Sequence, residues 1–128
     1  MLSSYTPVAT LPTSDLTKAR SFYEDTLGLA VRNELTGAVT YTCGSGNLFV
    51  YESAYAGTNK ATSVTFGVPA EEFDAEVNEL RGKGIEFATF ETEGVEWNDG
   101  VASMGDQMRA VWFTDLDGNI FNLLAGEL

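Results

Sequence analysis

The stretches Ala38–Tyr51, AVTYTCGSGNLFVY, and Ala110–Leu123, AVWFTDLDGNIFNL, superimpose at a constant offset of 72 residues. Six of the fourteen aligned positions are identical: Ala38/Ala110, Val39/Val111, Thr42/Thr114, Gly46/Gly118, Asn47/Asn119 and Phe49/Phe121. Tyr41/Phe113 and Leu48/Ile120 keep their character. Each stretch carries two runs of β-branched, aliphatic and aromatic residues around a glycine-containing turn, the pattern of an antiparallel hairpin. Upstream of the first stretch, Val8–Leu11 reads as extended, and Pro12, which has no amide hydrogen, suits a strand end or edge. Leu16, Ala19, Phe22, Tyr23 and Leu27 then recur at helical spacing behind Ser14 or Asp15 as N-cap and ahead of Gly28. Residues 30–35, 38–43 and 47–52 follow as strands. Upstream of the second stretch, Ser63–Val68 is extended, Pro69 opens a helix with Phe73, Val77 and Leu80 on one face, and Gly82 and Gly84 close it. Ile85–Phe90 reads as a strand, 93–106 as mostly loop with a short strand, and 109–114 with 120–125 as the hairpin.

The chain therefore reads as one domain over 1–128 that holds two βαβββ modules, 5–52 and 62–126. Two hairpins sharing common turn chemistry by coincidence would leave the matching helices unexplained. A single small sheet cannot bury both faces, so the modules are expected to pair about a pseudo-twofold axis and leave a concave cleft.

Composition narrows the chemistry. Seven basic against nineteen acidic residues give a net charge of −12, which repels phosphate backbones and argues against nucleic acid as a partner. No apolar run approaches the roughly 18 residues that span a bilayer, so no membrane partner is expected, and Met1–Thr10 has no basic export signal; the cytoplasm is the default location. Cys43 is the only cysteine, so neither an intrachain disulfide nor a multi-cysteine metal cage can form. The chain also has no histidine, which removes Ser-His-Asp and Cys-His catalytic pairs and histidine metal sites. An enzyme would have to rely on a carboxylate or lysine base, or on a hard ion held by oxygens.

The phrases Leu11–Leu29, LPTSDLTKARSFYEDTLGL, and Trp112–Leu123, WFTDLDGNIFNL, closely resemble the two signature regions of the vicinal-oxygen-chelate superfamily. That superfamily includes glyoxalase I, extradiol dioxygenases, fosfomycin-resistance enzymes and bleomycin-resistance proteins. The resemblance covers essentially the whole chain and implies an α+β fold. Its two βαβββ modules would form a curved mixed-sheet cup with helices outside, commonly completed in a homodimer. Metal-using members place His, Gln or Glu near the middle of each module's first strand and in its last strand. Here the corresponding positions hold Val8, Ser63, Val50 and Asn122, none a strong metal ligand, so no metal or other cofactor is expected.

Strand alternation gives the remaining candidates. With Val8 and Thr10 toward the cleft, Ala9 and Leu11 face the helix; with Ser63 and Thr65 inward, Val64, Phe66 and Val68 face the helix. If Val50 and Asn122 point inward, Thr40, Thr42, Trp112 and Thr114 on neighbouring strands become wall residues, and Tyr41, Phe49, Tyr51 and Phe113 pack under helices or at a seam. Trp112 offers a ring for stacking against a flat ligand, or for ordinary sheet packing, and Asn122 an orienting amide or a satisfied buried one. The segment Gly94–Met108 can form a lid, with Trp97 and Met104 as a ligand wall or dimer contact, or as a hydrophobic anchor for the loop. Arg109 could meet a ligand carboxylate or pair locally with Glu96, Asp99 or Asp106. Asp115–Asn119, DLDGN, lacks the further positions of a calcium loop and suits an Asx-type turn.

Three functions follow. The first is a metal-independent protein that binds a small organic molecule, aromatic or cationic, similar to the bleomycin-resistance branch. The second is a glyoxalase-like lyase or isomerase acting on a small carbonyl compound, and the third a non-catalytic structural or accessory dimer.

Overall fold

The computed structural model describes residues 1–105 and 108–126. In chain order the elements are β1 (Ala9–Thr13), α1 (Leu16–Arg20), β2 (Ala30–Leu35), β3 (Ala38–Cys43), β4 (Gly46–Glu52), β5 (Thr62–Val68), α2 (Phe73–Gly82), β6 (Glu96–Asn98), β7 (Val101–Met104), β8 (Met108–Thr114) and β9 (Ile120–Ala125). The fold is α+β, with two βαβββ-like modules whose mixed sheets are flanked by helices. The sheet orders are β1-β4-β3-β2 and β5-β9-β8-β7-β6, with the first and last strands of each module parallel. The chain divides into two compact units, one of Met1–Asn59 with Leu116–Asn119, the other of Lys60–Asp115 with Ile120 onward.

In the first unit Asp15 caps α1 by accepting from the Lys18 amide at 3.1 Å. The helix continues through Ser21–Thr26 in a wider winding, where the Leu27 amide reaches back to the Phe22 carbonyl, and Gly28 leaves it at φ +71°. Ala19, Phe22 and Tyr23 are buried, and the Tyr23 ring stacks 5.6 Å from that of Tyr41. Pro12 sits in edge strand β1, where its missing amide hydrogen disrupts no interior ladder.

In the second unit a 3-10 turn over Ala70–Glu72 follows Pro69 and leads into α2. Phe73 and Val77 of that helix form a core with Val111, Leu123 and Ala125, and Phe66, Val68, Leu80, Phe87 and Val101 pack against it. On the same face Phe66, Phe121 and Phe113 stack in succession, at 6.2 and 5.3 Å. Ile85–Phe90 is not a strand. It makes one bridge, Ala88 to Trp112, on the part of β8 beyond Ala110 that β7 does not reach. The segment expected to be mostly loop with a short strand holds two, the β6–β7 hairpin, with Gly100 at φ +79° in its turn.

Register corrects the alternation in the first module. β3 and β4 are joined through Gly44 and Ser45, whereas β8 and β9 are joined by the longer Asp115–Asn119. Val39 consequently faces Val50 and Thr40 faces Phe49, whereas in the second module Trp112 faces Asn122. The repeat slips by one residue across the hairpin, and Phe49, not Val50, occupies the place of Asn122.

Candidate ligand-binding site

Residues opposite one another in a sheet share a face. In the second unit the face turned away from α2 carries Trp97 (β6), Ala102 and Met104 (β7), Met108, Ala110 and Trp112 (β8), Asn122 and Leu124 (β9) and Thr65 (β5). Three rings gather there. Phe90 lies 5.0 Å from Trp112 and 5.1 Å from Trp97, both edge-on, and the two indoles are 6.0 Å apart. The Ala88 amide holds the approach of this segment by donating to the Trp112 carbonyl at 2.7 Å. A cavity of about 420 Å³ opens beside Trp112 and Phe90, lined also by Lys60, Thr62, Thr114 and Ile120. A more open hollow of about 640 Å³ lies across Phe90, against Trp97, Val95, Glu91 and Glu93. Aromatic and aliphatic walls with a few hydroxyls and one cation are the composition of a small-molecule pocket.

Two polar groups mark this face. Asn122, 7% exposed, donates through Nδ2 to the Val111 carbonyl at 3.1 Å. The Trp97 indole nitrogen is buried and has no hydrogen-bond partner among the described residues. A buried donor without an acceptor costs roughly 1–3 kcal/mol.

The sequence-derived candidates separate accordingly. Trp112, Trp97, Asn122 and Met104 share the open face, with Trp112 and Trp97 in ring contact. Ser63 is the extra residue of a bulge between Thr62 and Val64, and Thr65 is the β5 residue beside Asn122. In the first unit Thr40 lies on the side of Phe49 and Tyr51, whose rings stack 6.1 Å apart, away from the helix-facing set of Val39, Tyr41 and Leu48. Val8 is exposed ahead of β1. Val50 is corrected: at 1% exposure it faces the helix with Val39 and Tyr41, so it is a core residue. Phe49 and Tyr51 share Thr40's side, so of their two expected places the one under the helix is excluded. Arg109 is also corrected. It lies on the α2 face, 2.7 Å from the Asp74 carboxylate with its guanidinium 4.8 Å from the Phe73 ring centre, so its charge is already used. Asp106, one of the acids expected near it, lies outside the described residues. Phe90 and Lys60 also line the cavity, and no sequence pattern singles them out. Phe90 ends an expected strand that does not form, and its one available signal is an aromatic side chain seven residues before Trp97 in a glycine-flanked segment.

Titratable groups elsewhere are committed to structure. The Arg20 guanidinium, bonded to Glu24 at 2.8 Å, holds that carboxylate below its ordinary range, with the Tyr41 hydroxyl adding a 3.0 Å bond. Burial first, and then Glu24, push the Tyr41 phenol well up. Burial likewise raises the Cys43 thiol. Asp117 accepts from Thr13 Oγ1 at 2.7 Å, the Ser14 amide at 2.8 Å and Ser14 Oγ at 2.7 Å. Partial burial pushes its carboxyl up, but these bonds together outweigh that and hold it below its usual value.

A divalent ion does not suit the donors present. Asn122, Thr65 and Ser63 offer neutral oxygens, and among the described residues no three His, Cys, Asp or Glu side chains converge as a metal site.

Comparison with known proteins agrees with the topology. The model of the Glyoxalase/Bleomycin resistance protein/Dioxygenase superfamily matches residues 6–123. Similar solved structures include a mutant fosfomycin resistance protein from Listeria monocytogenes, complexed with Mn(II) and 1S,2S-dihydroxypropylphosphonic acid. It is 19% identical with TM-score 0.73, over 100% of this chain and 94% of that one. A lactoylglutathione lyase from Agrobacterium tumefaciens is 20% identical with TM-score 0.69, over 96% and 94% of the two chains. A glyoxalase/bleomycin resistance protein/dioxygenase from Nocardioides is 19% identical with TM-score 0.68, over 95% and 85%. No curated protein sequence matches. At these identities the structures speak for the fold alone, while the family model, spanning nearly the whole sequence, shows that this chain belongs to the Glyoxalase/Bleomycin resistance protein/Dioxygenase superfamily.

Proposed function

We propose that this protein binds a small flat aromatic compound without a metal and without converting it, as a homodimer in the cytoplasm. The observation that carries the proposal is the cluster of Phe90, Trp97 and Trp112 beside the cavity of about 420 Å³. Ring stacking and desolvation supply affinity there, and the Thr62 and Thr114 hydroxyls supply orientation. A metal-free mode is supported by the absence of histidine from the chain and the neutral donors around Asn122. The bleomycin-resistance name borne by part of the family is in keeping with sequestration. Among the described residues no helix is long and apolar enough to cross a membrane.

The test is equilibrium binding of an aromatic compound library to protein stripped with a chelator, followed by recovery of the bound compound. Stoichiometric binding that quenches tryptophan emission, is lost in Trp112→Ala and returns the compound unchanged is the expected result. Chemical conversion of the compound, or turnover restored by Mn(II), would replace sequestration by the lyase or isomerase reading. Sedimentation velocity checks the dimer, which a monomeric boundary at micromolar concentration would remove.

A further inference from the structure

We infer that the cavity beside Trp112 is selective for aromatic compounds bearing an anionic substituent, a carboxylate or phenolate, with Lys60 as counter-ion. This rests on the proposed ligand-binding role and adds the charge of the ligand. The chain carries −12, a field that by itself would draw cations. The cavity contradicts that global charge. Lys60 is the charged residue in its lining, and the rest of the wall is Thr62, Thr114, Ile120, Phe90 and Trp112 together with neutral groups. Three of the other cations are already neutralised: Arg20 by Glu24 and Glu34, Arg81 by Asp99, and Arg109 by Asp74. Lys60 takes part in no ion pair among the described residues, although the chain has nineteen carboxylates. A cation left unpaired at the mouth of an aromatic hollow attracts an anion that also has a ring to stack. The neighbouring hollow across Phe90 has the opposite sign, with Glu91 and Glu93 in its lining, so the two sides discriminate ligands by charge.

Three probes of equal ring size separate the possibilities: 2-naphthoate, 2-naphthamide and 2-naphthylmethylammonium, titrated calorimetrically into the full-length protein at low and high salt. Naphthoate should bind about fivefold more tightly than the amide, the margin one partly exposed ion pair gives, and salt should narrow it. Lys60→Met should bring naphthoate affinity to that of the amide measured in the same variant, and Lys60→Arg should preserve the margin. Equal affinity for naphthoate and amide, or an unchanged margin in Lys60→Met, overturns the charge assignment but leaves the aromatic site standing. Tighter binding of the ammonium also overturns it and moves the ligand to the Glu91 and Glu93 side. Binding of none of the three overturns both the charge assignment and the proposed function.

Discussion

Removal of the Asp117 carboxylate should unlatch the start of α1. Asp117 lies in the turn that joins β8 to β9, yet this turn belongs to the first unit, where the carboxylate accepts from Thr13 Oγ1, Ser14 Oγ and the Ser14 amide. Asn119 of the same turn donates to the Pro12 carbonyl at 2.9 Å. A hydrogen bond to a charged group contributes about 1.5–3 kcal/mol when shielded and less when wet. Two of the three bonds are exposed, so Asp117→Ala should cost about 2–3 kcal/mol in all, or roughly 8–12 °C in Tm for a chain of this size. Asp117→Asn keeps the shape and one acceptor oxygen, and should cost about half as much. Because the folded pKa lies below the unfolded value of 3.8, the carboxylate's contribution is complete above that value and lost as pH falls through the folded pKa. The Tm gap between the wild type and Asp117→Asn should therefore be full at pH 6 and close on acidification. Calorimetric scans between pH 2.5 and 7, a range of about four units around this titration, would measure it. A Tm loss below about 2 °C for Asp117→Ala, or a gap constant with pH, would refute the latch.

Other changes test the site boundaries. Val50→Thr buries a hydroxyl on the helix-facing side and should cost about 1–3 kcal/mol in a urea melt with ligand affinity unaltered; weaker binding without lost stability would return Val50 to the pocket. Arg109→Met should cost about 1 kcal/mol, through Asp74 and the Phe73 ring, and leave naphthoate affinity untouched. Trp97→Phe removes the unpartnered donor together with some packing, so it should lose no more than about 1 kcal/mol of stability, far below the roughly 3–5 kcal/mol of Trp97→Ala. Cys43, its thiol raised by burial, should react with a disulfide reagent at pH 7.5 about tenfold more slowly than in urea, and equal rates would show it freely accessible.

Much of the fold was legible because local signals agreed with one another. β2, β3 and β9 fall at the expected boundaries, Asp15 caps α1, and Pro69 marks the entry to the second helix. The site was legible where alternation ran uninterrupted, as for Trp112 facing Asn122. It failed where register is set by turn length, which identity across the repeat conceals: the short Gly44–Ser45 turn moved Val50 into the core and brought Phe49 beside Thr40. Arg109 failed for a different reason. Its acid, Asp74, is distant in sequence on α2, and no spacing rule brings the two together. Phe90 and Lys60 stand in segments without periodicity, and only the tertiary arrangement puts them on one cavity wall.

The borrowed turn bears on the order in which the protein can be made. The strands of the first unit are complete by Glu52, but Thr13, Ser14 and Pro12 await Asp117 and Asn119. On the ribosome, where N-terminal segments fold first, this half would emerge and stay provisional while the intervening residues 53–116 are made. It would become locked only when the turn that carries Asp117 and Asn119 is delivered.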